Sequence, residues 1–174
     1  IELNNRLNIP GDSNSNAVWQ LHLDYFKEPF RVSGNYLIDE FVLDRKIQIG
    51  KEHGTAYSIR LAYSPIFIEK HLLTIYTKVM KVGTSTFRHK LGTNNFVQNA
   101  MPLGWNKGSD GAEICVGLNY FNRNNFIVSF SGGLFNSGEE NIIYRAYETY
   151  EDYLKKQFPS RQINKNFYLD SFIY

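Results

Sequence analysis

The chain has 174 residues, 43% hydrophobic and 16% aromatic, with 19 basic against 17 acidic residues and a net charge of +2. That length holds one domain, and the near-balanced charge argues neither for a nucleic-acid stripe nor for an acidic substrate. Cys115 is the only cysteine, so no disulfide forms within the chain, and no apolar run approaches the length of a membrane helix.

Residues 1–16, rich in asparagine and carrying Pro10 and Gly11, read as coil, and 17–174 as one β domain. A first strand is expected near 17–25, a connection over Lys27 to Gly34 around Pro29, and a second strand over 36–44. A third strand covers 55–64 after a turn-like Gly50 to Gly54 stretch, and a fourth covers 71–80. A long segment, 81–110, rich in Gly, Asn and Ser, shows no sustained period. Strands at 112–121 and 126–135 flank the polar turn Asn122 to Asn125, the strongest hairpin signal in the chain. A second long excursion, 136–160, includes one short helix over Tyr150 to Gln157, with Glu151 four residues before Lys155 and Pro159 ending it. Residues 161–174 form a last strand.

Several strands alternate strictly. Trp19, Leu21, Leu23 and Tyr25 share one parity; Tyr57, Ile59, Leu61 and Tyr63 repeat it, as do Ala112, Ile114, Val116, Leu118 and Tyr120. Period-two alternation gives each strand one apolar and one polar face. With many aromatics closing the strands, this is what a transmembrane β-barrel needs, apolar to lipid and polar to lumen. The connections alternate short (65–70, 122–125) and long (81–110, 136–160), as the periplasmic turns and external loops of outer-membrane barrels do. Seven strands beginning at the outer side do not close a barrel of even count. The fold expected is therefore all-β, an antiparallel transmembrane β-barrel that is part of a larger barrel, with long external loops. The chain begins at Ile1 without methionine, so either a leader has been removed or the sequence is partial.

In the second strand one carboxylate, Asp39 or Glu40, must sit on the more apolar face, where a charge needs a rim position or a partner. Arg60 on the next strand is the expected partner in a structural ion pair. The 81–110 loop gathers Arg88, His89, Lys90, Trp105, Lys107 and Asp110, and the 136–160 loop places Tyr144, Tyr147, Tyr150 and Tyr153 at intervals of three. Aromatic faces stack on sugar C–H surfaces, while Arg, Asn and Asp bond hydroxyls or uronate carboxylates, so Arg88, His89, Trp105, Lys107, Asp110, Tyr144 and Tyr147 are candidate glycan contacts. The competing reading is structural: Pro102, Gly104 and Gly108 shape a folded loop, Trp105 pins it to the rim, and the tyrosines pack against the barrel mouth. His22, His53, His71 and His89 are dispersed without metal-ligand spacing, and no catalytic set emerges. Neither an enzyme nor a cofactor or metal is expected. Cys115 reads as a small half-buried filler rather than a nucleophile.

Segments in one order along the chain resemble the capsule-assembly Wzi family of outer-membrane proteins. Tyr36 to Asp44 (YLIDEFVLD) is similar to its acidic "IDDF" strand, and Ile75 to Val79 (IYTKV) to its "EYTRV" strand. Met101 to Asp110 (MPLGWNKGSD) with the following GAEICVGLNYF resembles its "PLGHPLGPDADELYLGLRY" segment, Ser137 to Ile142 (SGEENI) its "GEN" loop, and Phe158 to Ser160 its "FPSG" entry to a late strand. Ala56 to Tyr63 (AYSIRLAY) looks like the aromatic strand between the first two. The chain departs from the pattern at Trp105, where the family often has histidine, and at Ile75, where it has glutamate. The resemblance, over about residues 36–163, implies a bacterial outer-membrane barrel that helps retain or assemble surface polysaccharide as a lectin, in contact with outer-membrane lipid and other envelope proteins, with no nucleic-acid partner. The alternatives are a porin-like transport barrel or barrel subunit of a larger envelope complex, a barrel enzyme, and a soluble β-barrel with the apolar parity turned inward.

Overall fold

The computed structural model describes residues 18–40, 53–68, 71–88, 96–99, 101–122, 126–138, 140, 142 and 164–173. Among these the protein is all-β. The strands are β1 (Trp19–Lys27), β2 (Phe30–Glu40), β3 (Gly54–Ile68), β4 (His71–Val82), β5 (Val97–Gln98), β6 (Met101–Pro102), β7 (Gly111–Asn122), β8 (Phe126–Ser137) and β9 (Asn164–Ile173). Seven of them form one antiparallel sheet in the order β1-β2-β3-β4-β7-β8-β9, and β5 and β6 pair separately. The sheet is open: β1 and β9 are its edges.

Every neighbour in the sheet is also the next long strand in sequence, so the whole sheet is an antiparallel meander. Connections at 28–29, 69–70 and 123–125 lie at one end, and those at 41–53, 83–110 and 138–163 at the other. The expected second strand starts too late. β2 begins at Phe30, and the supposed connection over Lys27 to Gly34 shrinks to the turn at Glu28 and Pro29. Phe30, Val32, Gly34, Tyr36 and Ile38 share one face, and the missing side chain of Gly34 does not interrupt it. β3 runs on to Ile68, past Pro65, because a register shift between Tyr63 and Ile66 frees the proline from the ladder. The coil expected over 1–16 and the helix expected over Tyr150 to Gln157 lie outside the described residues.

Strand register aligns the apolar parities of all seven strands on one face. One row reads Leu23, Gly34, Ile59, Val79, Ile114, Leu134, Phe167; the next reads Tyr25, Val32, Leu61, Thr77, Val116, Gly132, Leu169. These side chains are not buried: Leu23 is 68% exposed, Ile59 50%, Val116 58% and Leu169 75%. Among the described residues twenty-seven large hydrophobic side chains are exposed while only seven apolar ones are buried. The usual distribution is inverted. Thr77, a polar residue on this face, donates its hydroxyl to the Cys115 carbonyl at 3.2 Å and so presents little beyond its methyl group.

Most of the buried residues lie on the opposite, polar-parity face at the long-loop end. Ala56, Val82, Phe87, Trp105 and Ile142 cluster there, with Leu37, Met80 and Val97 packed against them. Phe87, Val97 and Trp105 of the 83–110 connection thus pack over the polar face of β2, β3 and β4.

Candidate functional site

The polar parities also align into rows. One runs Asp24, Ser33, Arg60, Lys78, Cys115, Gly133, Tyr168 across all seven strands; the next runs Phe26, Arg31, Ala62, Tyr76, Gly117, Ser131, Asp170. Hydroxyl, amide and ionic groups meet here across strands. Arg31 forms a forked pair with Asp24 at 2.8 and 2.9 Å, Asn35 accepts from Gln20 at 2.8 Å and donates to Ser58 at 3.1 Å, and Ser129 donates to Asn119 at 2.8 Å.

Glu113 is the centre of the densest cluster. Its carboxylate accepts from the Trp105 indole at 2.9 Å and from the Tyr168 hydroxyl, and pairs with Lys78 at 3.5 Å and Lys107 at 3.9 Å. The Lys107 ammonium lies 3.8 Å from the Phe135 ring centroid and 3.9 Å from that of Tyr168, a double cation–π contact. Burial lowers the Lys107 pKa from the ordinary lysine value, and the Glu113 carboxylate opposes that shift. Arg60 sits 4.4 Å over the Tyr76 ring, half-buried. Three aromatic rings lie over glycines: a Cβ on Gly111 or Gly117 would collide with Trp105 or Tyr76, and one on Gly133 would collide with the Ile114 carbonyl and crowd the Tyr168 ring. Close approach to the backbone requires glycine at these positions.

Two cavities on this face share part of their lining. One of about 740 Å³ lies toward the short turns, lined in part by Phe26, Pro29, Arg31, Ser64 and Thr74. The other, about 530 Å³, lies over Lys78, Lys107, Glu113, Tyr168 and Asp170. Arg60 and Asn119 line both. Among the described residues no group of three or more His, Cys, Asp and Glu side chains could hold a metal ion.

The residues singled out from sequence have different fates. Arg88 is 2% exposed, pairs with Glu140 at 3.2 Å and donates to Ser109 at 3.0 Å. Asp110 is fully buried, accepting from the Thr84 hydroxyl at 2.9 Å and the Glu140 backbone at 3.1 Å. Trp105 is buried against Gly111 and bonded to Glu113. These three hold the loops together and are not presented to solution. Lys107 lines the cavity over Glu113 and Asp170, and Trp105 lines a further cavity of about 430 Å³ beside Leu37, Met80 and Phe87. His89, Tyr144 and Tyr147 lie outside the described residues.

The expected pairing of Asp39 with Arg60 is corrected by register. Arg60 stands opposite Ser33, six positions along β2 from Asp39, which is about 20 Å of strand. Glu40 pairs through its backbone with Gly54, farther still. Asp39 instead is buried at the strand end and accepts from the Phe87 backbone N–H.

Sequence reasoning passed over Lys78, Glu113, Tyr76 and Tyr168. Each occupied a polar-parity position, and only register shows that they converge. Compared with known proteins, the chain matches no family model, no curated protein and no solved structure.

Proposed function

We propose that this chain is a stretch of wall in a larger β-barrel of the bacterial outer membrane, one that helps retain or assemble surface polysaccharide. One observation carries the membrane part: the apolar face has a band free of acidic and basic side chains. It is bounded on one side by the row Tyr57, Lys81, Ala112, Asn136, Lys165 and on the other by Lys27, His71 and Asn122. Along β4 the band runs from Lys81 to His71. That is about 34 Å of strand, or about 25 Å of height at the usual barrel tilt, which matches the apolar belt of such proteins. Trp19, Tyr36 and Tyr57 stand near one border, and Tyr25, Phe30, Tyr63 and Tyr120 near the other, as aromatic girdles do. A water-exposed apolar surface this large would drive aggregation of a soluble monomer.

The polysaccharide part draws on the ordered resemblance to the Wzi family and on the cations, amides and aromatic rings of the polar face. The same face also suits a transport barrel, since Arg60, Lys78 and Lys107 would line an aqueous path. Nitroxide labels at Leu118 and Asn119 in lipid vesicles test the wall: Leu118 should collide with dissolved oxygen and Asn119 with a water-soluble nickel chelate. A Leu118 label shielded from oxygen would end the membrane reading. Retention of purified acidic capsular polysaccharide on protein-loaded vesicles tests the second part, and high conductance in planar bilayers without any retention would favour transport.

A further inference from the structure

We infer that the polar face carries a binding groove for a carboxylate-bearing oligosaccharide, centred on Arg60 and lying against the strands rather than on the external loops. The inference rests on the polysaccharide reading and gives it a place and a ligand class.

Arg60 is the key residue. Its guanidinium lies over the Tyr76 ring and, among the described residues, makes no hydrogen bond or ion pair. Every other basic side chain of this face near it is engaged: Arg31 by Asp24, and Lys78 and Lys107 by Glu113. A half-buried guanidinium stacked on a ring keeps its planar N–H edge free, and that edge matches a carboxylate with two parallel hydrogen bonds. A compact hydrated ion would not use that geometry.

The space around it is elongated. Arg60 and Asn119 are shared by the two cavities, so these adjoin at the guanidinium. The first has apolar walls at Phe26, Pro29, Ala62 and Leu72 beside the hydroxyls of Ser64 and Thr74, with the Asp24–Arg31 pair and Glu28 at its outer part. The second is more polar, with Lys78 and Lys107 beside Asn106 and Ser131. Apolar faces flanked by amides and hydroxyls suit sugar rings, whose C–H faces are apolar and whose rims carry hydroxyls. In the second cavity three cations, Arg60, Lys78 and Lys107, stand against two carboxylates, Glu113 and Asp170. Glu113 is occupied by four partners, which leaves Asp170 as the one carboxylate of the second cavity facing the ligand without such a shell.

The test is calorimetric binding to the full chain in detergent micelles. The probes are short oligogalacturonate, a maltooligosaccharide of equal length as its neutral match, and inorganic phosphate. Oligogalacturonate should bind at least about tenfold more tightly than either, and its affinity should fall as salt is raised. Arg60→Gln should weaken it about tenfold, the loss of one charge-assisted fork, and Arg60→Lys should restore part of that. Asp170→Asn should tighten binding a few-fold by removing a like charge, a gain that misfolding cannot imitate. The exposed-loop double variant Met101→Ser, Leu103→Ser should bind as the parent does. Absence of oligogalacturonate binding, equal binding of phosphate, or unchanged affinity in both Arg60→Gln and Asp170→Asn would overturn the groove. If polysaccharide retention on vesicles persists in Arg60→Gln, the groove falls and the retention reading stands. If retention is absent from the parent chain, that reading itself falls.

Discussion

Arg88 and Lys107 are two cations of one connection with opposite roles, and packing decides between them. Arg88 is enclosed with Glu140, so Arg88→Met would strand a buried carboxylate at a cost of about 3–5 kcal/mol, seen as a lower urea midpoint in micelles. Trp105→Phe keeps the ring volume over Gly111 but removes the indole donor to Glu113, and about 1–3 kcal/mol should be lost in the same assay. Lys107 gives a pH signature. Its folded pKa lies below 10.5, chiefly through burial, with Lys78 adding to the shift and Glu113 and Asp170 opposing it. As pH rises through the lowered value, the folded protein sheds this proton before the unfolded chain does. The group's contribution to stability then rises with pH while its attraction for an anion is lost. Oligogalacturonate affinity should therefore decline on the alkaline side before ordinary lysines titrate, and Lys107→Arg should abolish that decline. In sequence these loop residues looked alike, six polar or aromatic side chains in a glycine-rich stretch. Their separation depends on contacts such as Arg88 with Glu140, 52 positions away, and local spacing carries no trace of these.

A strand here is a two-sided element, and its sides should respond differently to one substitution. Val116→Arg puts a charge in the middle of the apolar band and should cost about 2–4 kcal/mol of folding into lipid vesicles, whereas Ser131→Arg on the polar face should be nearly neutral. Equal costs at the two positions would contradict the assignment of faces. Alternation made β4, β7 and β8 legible almost to their ends, because each carries a long uninterrupted run of one parity, but it stopped β3 at 64, before Pro65 and four residues short of Ile68. It failed at β2, where Pro29 and Gly34 look like breakers. One occupies a tight turn and the other a position where the neighbouring Leu23 and Ile59 maintain the apolar row. β5 and β6 were not anticipated at all, since two residues are too few to show a period.

At the level of the sheet, β1 and β9 both run from the long-loop end to the short-turn end, because seven antiparallel strands begin and end in the same direction. Antiparallel closure therefore needs an odd number of strands from outside this sheet. In a Cys115→Ser background, the pair Leu23→Cys and Leu169→Cys should give no disulfide within one chain, while the register partners Ile114→Cys and Leu134→Cys should crosslink. A crosslink in the first pair would mean self-closure through a parallel seam. The seven strands of the main sheet and its failure to close were both readable from the sequence, but the register that aligns its rows follows only from pairing. The two charged borders of the apolar face have a further consequence. Their separation is set by covalent strand length, so under the proposed membrane reading it would act as a fixed gauge of hydrocarbon depth. Lipids with longer acyl chains would have to thin locally, or the strands stand more upright, to keep Lys81 and His71 in water, at a fraction of a kcal/mol per ångström. Folding yield should then peak in short-chain phosphatidylcholine vesicles and fall steadily as the acyl chains lengthen.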